Sequence, residues 1–514
     1  MLVGGGHAHV QVLRRLGMDP LPGVRVTVIA REPHTPYSGM LPGHVAGDYD
    51  YDDMHIDLGP LCRFAGARLL CAEVTGVDLE SRTLFCAQRP AQRFDLLSLN
   101  IGASPRALPG ATDAGTTGPG QLALPGTSAP PSERPEPAER RALSRVKPIG
   151  QFLPRWRATL EALREDDRIL LLGAGAGAVE LAFAMRRAVP ATVGIALVGR
   201  TLLPGFSERA RTTIRLQLNR ARIALLEGDA VEHLDDAGAR TSSGEQLQAE
   251  HYFDVTGVRA PAWLAGSGLL LDEQGFVRVD EHLRTLSHSF VFAAGDVAHL
   301  EGQPRPKSGV YAVRAGPVLY ENLRRSFTDL PLKRFRAQRQ ALAILSTTPG
   351  QALAVRGPFA WHGAGPWRLK QRIDRRFMRR FQELPTMPEP VPPPQLKAAL
   401  RAELPDPMRC GGCGGKLPAD ALGRALATLP AQHHETLVAG IGDDAARLQL
   451  ASPGPEVLAT VDGFSAFIDD PYRFGRIAAH HALGDVLAMG GRPTIALALA
   501  TLPPMAPALL EGDL

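Results

Sequence analysis

The feature that most constrains this chain is a glycine-rich turn that occurs twice. Gly4-Gly5-Gly6-His7-Ala8-His9 leaves a short apolar run and opens a stretch with Val10, Leu13 and Leu16 at helical spacing; Val24-Arg-Val-Thr-Val-Ile29 then supplies another strand. Gly173-Ala-Gly175-Ala-Gly-Ala178-Val-Glu180 repeats the arrangement behind the buried-strand pattern Arg168-Ile-Leu-Leu-Leu172. Strand, glycine turn and helix make the start of a βαβ unit. Glycine permits the tight turn and the close approach of a pyrophosphate, and the helix N-terminus offers free N–H groups and the positive end of its dipole. One such match is weak evidence, whereas two in the same context point to a duplicated dinucleotide fold. The candidate cofactor-contacting positions are Gly4, Gly6, Ala8 and His9 in the first copy and Gly173, Gly175, Ala178 and Glu180 in the second. His9 replaces the usual third glycine, and Ala178 is an accepted alternative there.

Each copy places an arginine twenty-seven residues after its first glycine, Arg31 and Arg200. The acid that usually grips an NAD ribose is absent from both strand ends, where Ala30 and Gly199 stand. Arg200 is therefore a candidate for the 2′-phosphate of NADPH, with a solvated strand-end charge as the competing reading of both arginines.

With 514 residues, 44% of them hydrophobic, the chain calls for two to four compact units. A net charge of +4 with only six lysines leaves no nucleic-acid footprint. Five cysteines are too few for a disulfide scaffold, which suits a reducing, cytoplasmic setting. Neither a run of spanning length nor a charged leader is present. Only three residues precede Gly4, fewer than the roughly five or six of an ordinary strand, so the natural start is expected upstream. The expected organisation is a region over 1–330 that carries both glycine turns, with a disordered Gly/Pro/Ser-rich insertion at 109–141 and the second turn's nicotinamide-binding part at about 165–260. A smaller block at 331–385, a proline-rich linker at 386–405 and a separate module at 406–514 follow. Within 367–381, Leu369, Ile373, Phe377 and Phe381 share a helical face among basic residues. That pattern fits either a helix packed on its own domain or one lying on the inner face of a membrane.

Ser289-Phe-Val-Phe-Ala-Ala-Gly295-Asp296, followed by Lys307-Ser-Gly-Val-Tyr-Ala-Val-Arg314, adds a third element. With both glycine turns it makes residues 1–330 resemble the pyridine-nucleotide-dependent flavoprotein oxidoreductases. The resemblance implies an α/β fold class with two Rossmann-like FAD- and NAD(P)-binding folds, and FAD and NAD(P)H as cofactors. It also implies a place for Gly295 and Asp296 at the FAD ribityl or pyrophosphate region. Asn100-Ile-Gly102 and Asp254-Val-Thr-Gly257 look like the family's crossover segments, and Tyr37-Ser-Gly-Met-Leu-Pro42 like its flavin-side loop. No closely spaced cysteine pair accompanies them. Electrons are then expected to leave the flavin directly, as in the type II NADH dehydrogenases, with Cys62, Cys71 and Cys86 as core or surface thiols.

The last module opens with Cys410-Gly-Gly-Cys413-Gly-Gly-Lys416-Leu417. A P-loop is excluded, because Leu417 replaces the Ser or Thr that a magnesium ion needs. A zinc site is not favoured, because only the adjacent His433-His434 follow. Next come Gly442-Asp-Asp444, Thr460-Val-Asp462-Gly463, Asp469-Asp-Pro471 and Gly484-Asp485. In this order they resemble selenophosphate synthetase (selenide, water dikinase) over about 409–503, implying an α+β, PurM-like N-terminal domain. The resemblance makes Cys413 and Lys416 catalytic and Asp444, Asp462 and Asp485 ligands for Mg2+ that bridges ATP phosphates. It further implies a homodimer through this module and a synthetase longer than 406–514. Gly463, His481 and Gly484 depart from the family pattern. Asp443, Asp469 and Asp470 fit turn or capping roles at least as well as metal binding.

Two functions follow as expectations. One is a bifunctional enzyme in which an NAD(P)H-dependent flavoprotein supplies reduced selenium to an ATP-dependent dikinase. The other is a quinone-reducing flavoprotein with a non-catalytic nucleotide-binding or dimerisation module.

Overall fold

The apolar runs on either side of each glycine turn become neighbouring parallel strands. The computed structural model describes residues 1–110 apart from 22 and 107, and 143–387 apart from 236 and 339. Further on it describes 424, 427, 434–439, 445–498 apart from 452, 464 and 465, and 500. Residues 111–141 of the expected insertion at 109–141, and most of the expected linker at 386–405, thus lie outside the described residues. The chain divides into two compact units, one made of Met1–Ala67, Cys71–Leu84 and Phe94–Pro385, the other containing Thr386–Leu514.

The first unit begins with β1 (Leu2–Val3), α1 (His7–Met18), β2 (Thr27–Ala30) and β3 (Leu97–Leu99). Leu2 pairs with Val28 on one side and Ser98 on the other, so even a two-residue β1 is held by both neighbours. Next come β4 (Leu143–Arg145), β5 (Arg168–Leu172), α2 (Ala176–Ala188), β6 (Gly194–Gly199), β7 (Ile223–Glu227) and β8 (His251–Asp254). They build a parallel sheet of order β4-β8-β5-β6-β7. Helices cover both faces of such a sheet, so its central strands read as unbroken apolar runs. Leu143, Leu170, Leu172, Val198 and Tyr252 form the buried cluster on one face.

The strand β9 (Val291–Ala293) then returns to pair with β3 in parallel, which gives the first sheet the core order β9-β3-β1-β2. In both sheets the strand before the glycine turn lies between strands reached by opposite crossovers. The helix that follows therefore starts at a topological switch point, where ligands of such sheets bind. The helix α3 (Gly309–Arg325) packs on α1, with Tyr320 and Arg324 bonded to Asp19. The unit closes with the antiparallel β10 (Ala343–Ser346), β11 (Ala352–Arg356) and β12 (Phe359–Gly363), followed by α4 (Ala364–Gln382).

The face expected to be apolar on α4 is divided. Phe377 and Phe381 are buried with Pro366, Asp374 and Met378, whereas Leu369 and Ile373 are exposed. The packed side is turned away from the sequence stripe because it also accepts Asp374. Among the described residues no helix is long and apolar enough to cross a membrane.

In the second unit β13 (Leu437–Ala439), β14 (Ala446–Leu448) and β15 (Val457–Ala459) form an antiparallel sheet, followed by α5 (Pro471–Ala488). Asp470 caps α5 by accepting the Arg473 N–H at 3.2 Å, one of the two roles its sequence context allowed.

Candidate functional site

At the first turn, glycine is demanded by contact as well as by conformation. Gly4 has φ +92°, and a Cβ there would lie 2.4 Å from the Asn100 carbonyl oxygen; one on Gly6 would lie 2.3 Å from Asn100 Oδ1. Asn100, just past β3, accepts the N–H groups of Ala8 at 3.0 Å and His9 at 3.2 Å, while its Nδ2 donates to the Ala294 carbonyl at 2.6 Å. One side chain thus caps α1 and ties it to the Gly295-Asp296 turn. The sequence marked Asn100 only as part of a crossover, because nothing local shows which helix it caps.

His9 performs the task of the missing third glycine by bonding. Its ring nitrogens lie 2.7 Å from the Gly4 carbonyl and 2.8 Å from Ser98 Oγ, and burial drives its pKa down to about 4. The ring is therefore neutral and structural. His7 sits edge-on to Tyr37 and Phe377, its Nε2 buried and without a hydrogen bond among the described residues.

The second turn has the same logic in a more open form. Gly173 has φ +122°, and a Cβ on it would lie 2.8 Å from the Val255 carbonyl oxygen, so the Asp254–Gly257 crossover closes on it as Asn100 closes on Gly4. No atom lies within 4 Å of a Cβ built on Gly175, and Gly175 caps α2 without a side chain. That open space and the bare helix end suit a phosphate. Ala178 is buried, and a Cβ at Gly199 would lie 2.8 Å from Ala174 Cβ, which explains why no acid occupies that strand end. Arg200 is exposed and pairs with Glu232 at 3.3 Å, as Arg31 pairs with Glu73 at 3.9 Å. Glu180 points away from the turn into a buried cluster with Lys370, Ser346 and Asp374.

Gly295 has φ +75°, and a Cβ there would lie 2.5 Å from Asn100 Nδ2. Asp296 is met by Lys147 at 3.3 Å. Beside them opens a cavity of about 610 Å3 lined by Asp272, His299, Lys307, Ser308 and Tyr311 among others. Burial lowers the Lys307 pKa while its Nζ donates to the Ala298 carbonyl at 2.8 Å. Cys62, Cys71 and Cys86 form no disulfide.

In the second unit, Asp485 and His481 lie one turn apart on α5. The Thr460 hydroxyl donates to Asp485 at 3.0 Å, and His481 Nε2 lies 3.8 Å from Asp462. The stretch after β15 thus meets α5 twice, through Thr460 on Asp485 and through Asp462 on His481. Asp444, Cys413 and Lys416 lie outside the described residues. Among the described residues no three His, Cys, Asp or Glu side chains form a metal-holding group.

Residues 1–316 match the family model described as pyridine nucleotide-disulphide oxidoreductase, and residues 442–512 match that of the AIR synthase related protein, N-terminal domain. The selenide, water dikinase of Myxococcus xanthus is 45% identical over 96 residues, 18% of this chain and 27% of the dikinase. That of Rhizobium meliloti is 44% identical over 107 residues, 20% of this chain and 30% of the dikinase. The chain thus spans less than a third of the length of these relatives. Among solved structures, the sulfide:quinone oxidoreductase of Aquifex aeolicus superposes with a TM-score of 0.60 at 13% identity, covering 76% of this chain and 92% of that one. NDH2 of Plasmodium falciparum in complex with NADH gives 0.58 at 12% identity, covering 75% and 99%. At such identities the likeness is one of fold.

Proposed function

Because the chain belongs to the pyridine nucleotide-disulphide oxidoreductase family, whose model it matches over residues 1–316 of 514, we propose that its front region binds FAD and NAD(P)H and moves hydride between them. The supporting observation is the pair of glycine turns at two sheet switch points, the first tied through Asn100 to Gly295. Gly4, Gly6, Ala8, His9, Gly295 and Asp296 would serve FAD; Gly173, Gly175, Ala178 and Arg200 would serve the nicotinamide coenzyme. Bound FAD supplies two-electron redox chemistry, and the protein orients it and controls protons. With no disulfide among Cys62, Cys71 and Cys86, electrons leave the flavin for the acceptor directly. The purified protein is expected to carry flavin absorption that bleaches anaerobically with NADH or NADPH. A colourless protein that takes up no FAD would sink this reading.

The second unit, in this proposal, is the N-terminal part of a selenide, water dikinase. Asp444, Asp462 and Asp485 would hold Mg2+ against ATP phosphates, with Cys413 and Lys416 acting on selenide, and the fusion would deliver reduced selenium to the dikinase. The contacts of Thr460 with Asp485 and of Asp462 with His481, which bring the stretch after β15 against α5, support it. Cys413→Ala and Lys416→Ala are each expected to abolish selenophosphate formation by the whole gene product, followed by phosphorus NMR; undiminished output would make the module non-catalytic.

A further inference from the structure

The sequence leaves Arg200 two readings, a grip for a 2′-phosphate or a solvated strand-end charge, and the packing around it separates them. Leu172 pairs with Val198 across β5 and β6, and the Gly173 N–H donates to the Val198 carbonyl at 2.8 Å, so Gly199 stands beside Gly173 and Arg200 beside Ala174. Neighbouring strands are about 4.8 Å apart, which puts the end of β6 at the edge of the second glycine turn. The chain then folds back on that turn, because the Leu203 N–H donates to the Ala174 carbonyl at 2.8 Å. Gly199, Leu202 and Leu203 are buried, whereas Arg200 and Thr201 between them are exposed. Arg200 is therefore held at the rim of the turn by backbone contacts on either side of it.

A nicotinamide coenzyme lies with its pyrophosphate on the helix N-terminus and its adenosine ribose at the end of the next strand, where an acid reads a free 2′-hydroxyl and an arginine a 2′-phosphate. No acid fits at this strand end. A Cβ on Gly199 would lie 2.8 Å from Ala174 Cβ and 2.9 Å from the Ala174 nitrogen, closer than packed atoms come. The neighbouring strand end offers no substitute, because Glu227 accepts the Leu202 N–H at 2.8 Å through one oxygen and Arg215 at 3.1 Å through the other. Arg211 and Arg215, on the helix Glu208–Arg220, are paired with Glu208 at 2.8 and 2.9 Å. Arg200 differs from both. Its partner among the described residues is Glu232 at 3.3 Å, with the two side chains 69% and 58% exposed, and an ion pair so open to water contributes little. A phosphate monoester carries more charge than a carboxylate and accepts both arms of a guanidinium, so it can displace Glu232. Arg31, at the same spacing in the first fold, follows Ala30, whose Cβ is accommodated at its strand end.

We propose that the coenzyme of the second turn is NADPH and that Arg200 selects it, exchanging Glu232 for the 2′-phosphate. The inference rests on the reading above that this turn binds NAD(P)H. The 2′-phosphate takes no part in hydride transfer, so Arg200 decides which coenzyme binds and leaves the chemical step alone.

Calorimetric titration of the oxidised, flavin-loaded protein with NADP+ and with NAD+ tests it without turnover. NADP+ is expected to bind about 10- to 100-fold more tightly, as a hydrogen-bonded pair of charged groups provides, and the margin is expected to narrow as salt is raised. Arg200→Ala is expected to weaken NADP+ to the level of NAD+ and to leave NAD+ unchanged. Arg200→Lys is expected to keep part of the margin, and Glu232→Gln to tighten NADP+ alone. Arg31→Ala is expected to leave the ratio as it is. Equal or tighter binding of NAD+ by the wild type, or a margin that survives Arg200→Ala, overturns the proposal. If Arg200→Ala does not fold, the wild-type ratio and Glu232→Gln decide. A yellow protein that binds neither coenzyme overturns this inference together with the coenzyme half of the proposed function. A colourless protein that prefers NADP+, and loses the preference in Arg200→Ala, upholds Arg200 and overturns the flavin.

Discussion

His9 fills a position where glycine normally lets a helix approach its strand, and it does so by bonding the Gly4 carbonyl and Ser98 from beneath. A neutral imidazole with a native pKa of about 4 makes stability depend on pH. The unfolded chain protonates this histidine near its ordinary 6.5, so between 6.5 and 4 the unfolded state binds more protons and stability falls as pH falls. The shift corresponds to about 3 kcal/mol, fully present above pH 6.5 and lost by about pH 4. In His9→Gln, urea-unfolding midpoints measured from pH 4 to 7 should lose this part of the acid sensitivity; parallel curves for wild type and variant would refute it. Asp374 gives the opposite sign. Its raised pKa means the native state binds the extra proton, so its contribution declines as pH rises from the ordinary carboxyl range through the raised value. Sequence showed that His9 broke the glycine pattern. It did not show the replacement bond, because Ser98 is 89 residues away.

The glycine turns, as elements, were legible because their requirements are local: a strand, φ values open to glycine, and a helix start. What holds them is not local. Asn100 binds α1 and the Ala294 carbonyl from the end of β3, 92 and 194 residues away from its two partners. Asn100→Ala leaves two N–H groups and one carbonyl short of a partner at a buried site. It should cost about 3 kcal/mol and release FAD during gel filtration. Asn100→Asp keeps an acceptor for α1 but sets a carboxylate against the Ala294 carbonyl and near the proposed pyrophosphate. It should lose FAD more completely than Asn100→Ala; equal FAD content in all three proteins would show that the cap does not shape the site. Helix α4 teaches the complementary lesson, since its sequence gives an amphipathic stripe but not how the helix is rotated. Leu369 and Ile373 remain exposed, and the exposed Trp361 lies against Gly365 at the start of the helix. We propose that this strip, with its arginines, rests on anionic lipid. Leu369→Asp with Ile373→Asp should abolish co-sedimentation with vesicles containing anionic lipid and leave thermal stability unchanged. Retained binding would sink the membrane contact.

At the scale of the molecule, the two units differ in how much apolar surface they cover. The first buries its sheets on both faces, whereas the second leaves Val461, Ile495 and Leu497 98%, 85% and 96% exposed, and α5 has no buried residue. Large aliphatic side chains so fully in water are the mark of a surface that another surface covers. The fusion itself was legible because both motif sets carry chemistry in short, ordered runs. The geometry of the second set was not, because Thr460 reaches Asp485, and Asp462 reaches His481, only when the stretch after β15 comes against α5. We propose that the exposed aliphatic surface joins two copies of the chain through the dikinase module. Burying three such side chains at 1.5–3 kcal/mol each contributes roughly 5–9 kcal/mol per copy before the cost of association, enough to decide the assembly state. Light scattering behind size exclusion should therefore report a dimer, and Val461→Asp with Leu497→Asp should convert it to monomer. The flavin of the first unit should stay bound and reducible in that variant. A monomeric wild type, or a dimer indifferent to both substitutions, would place the association elsewhere.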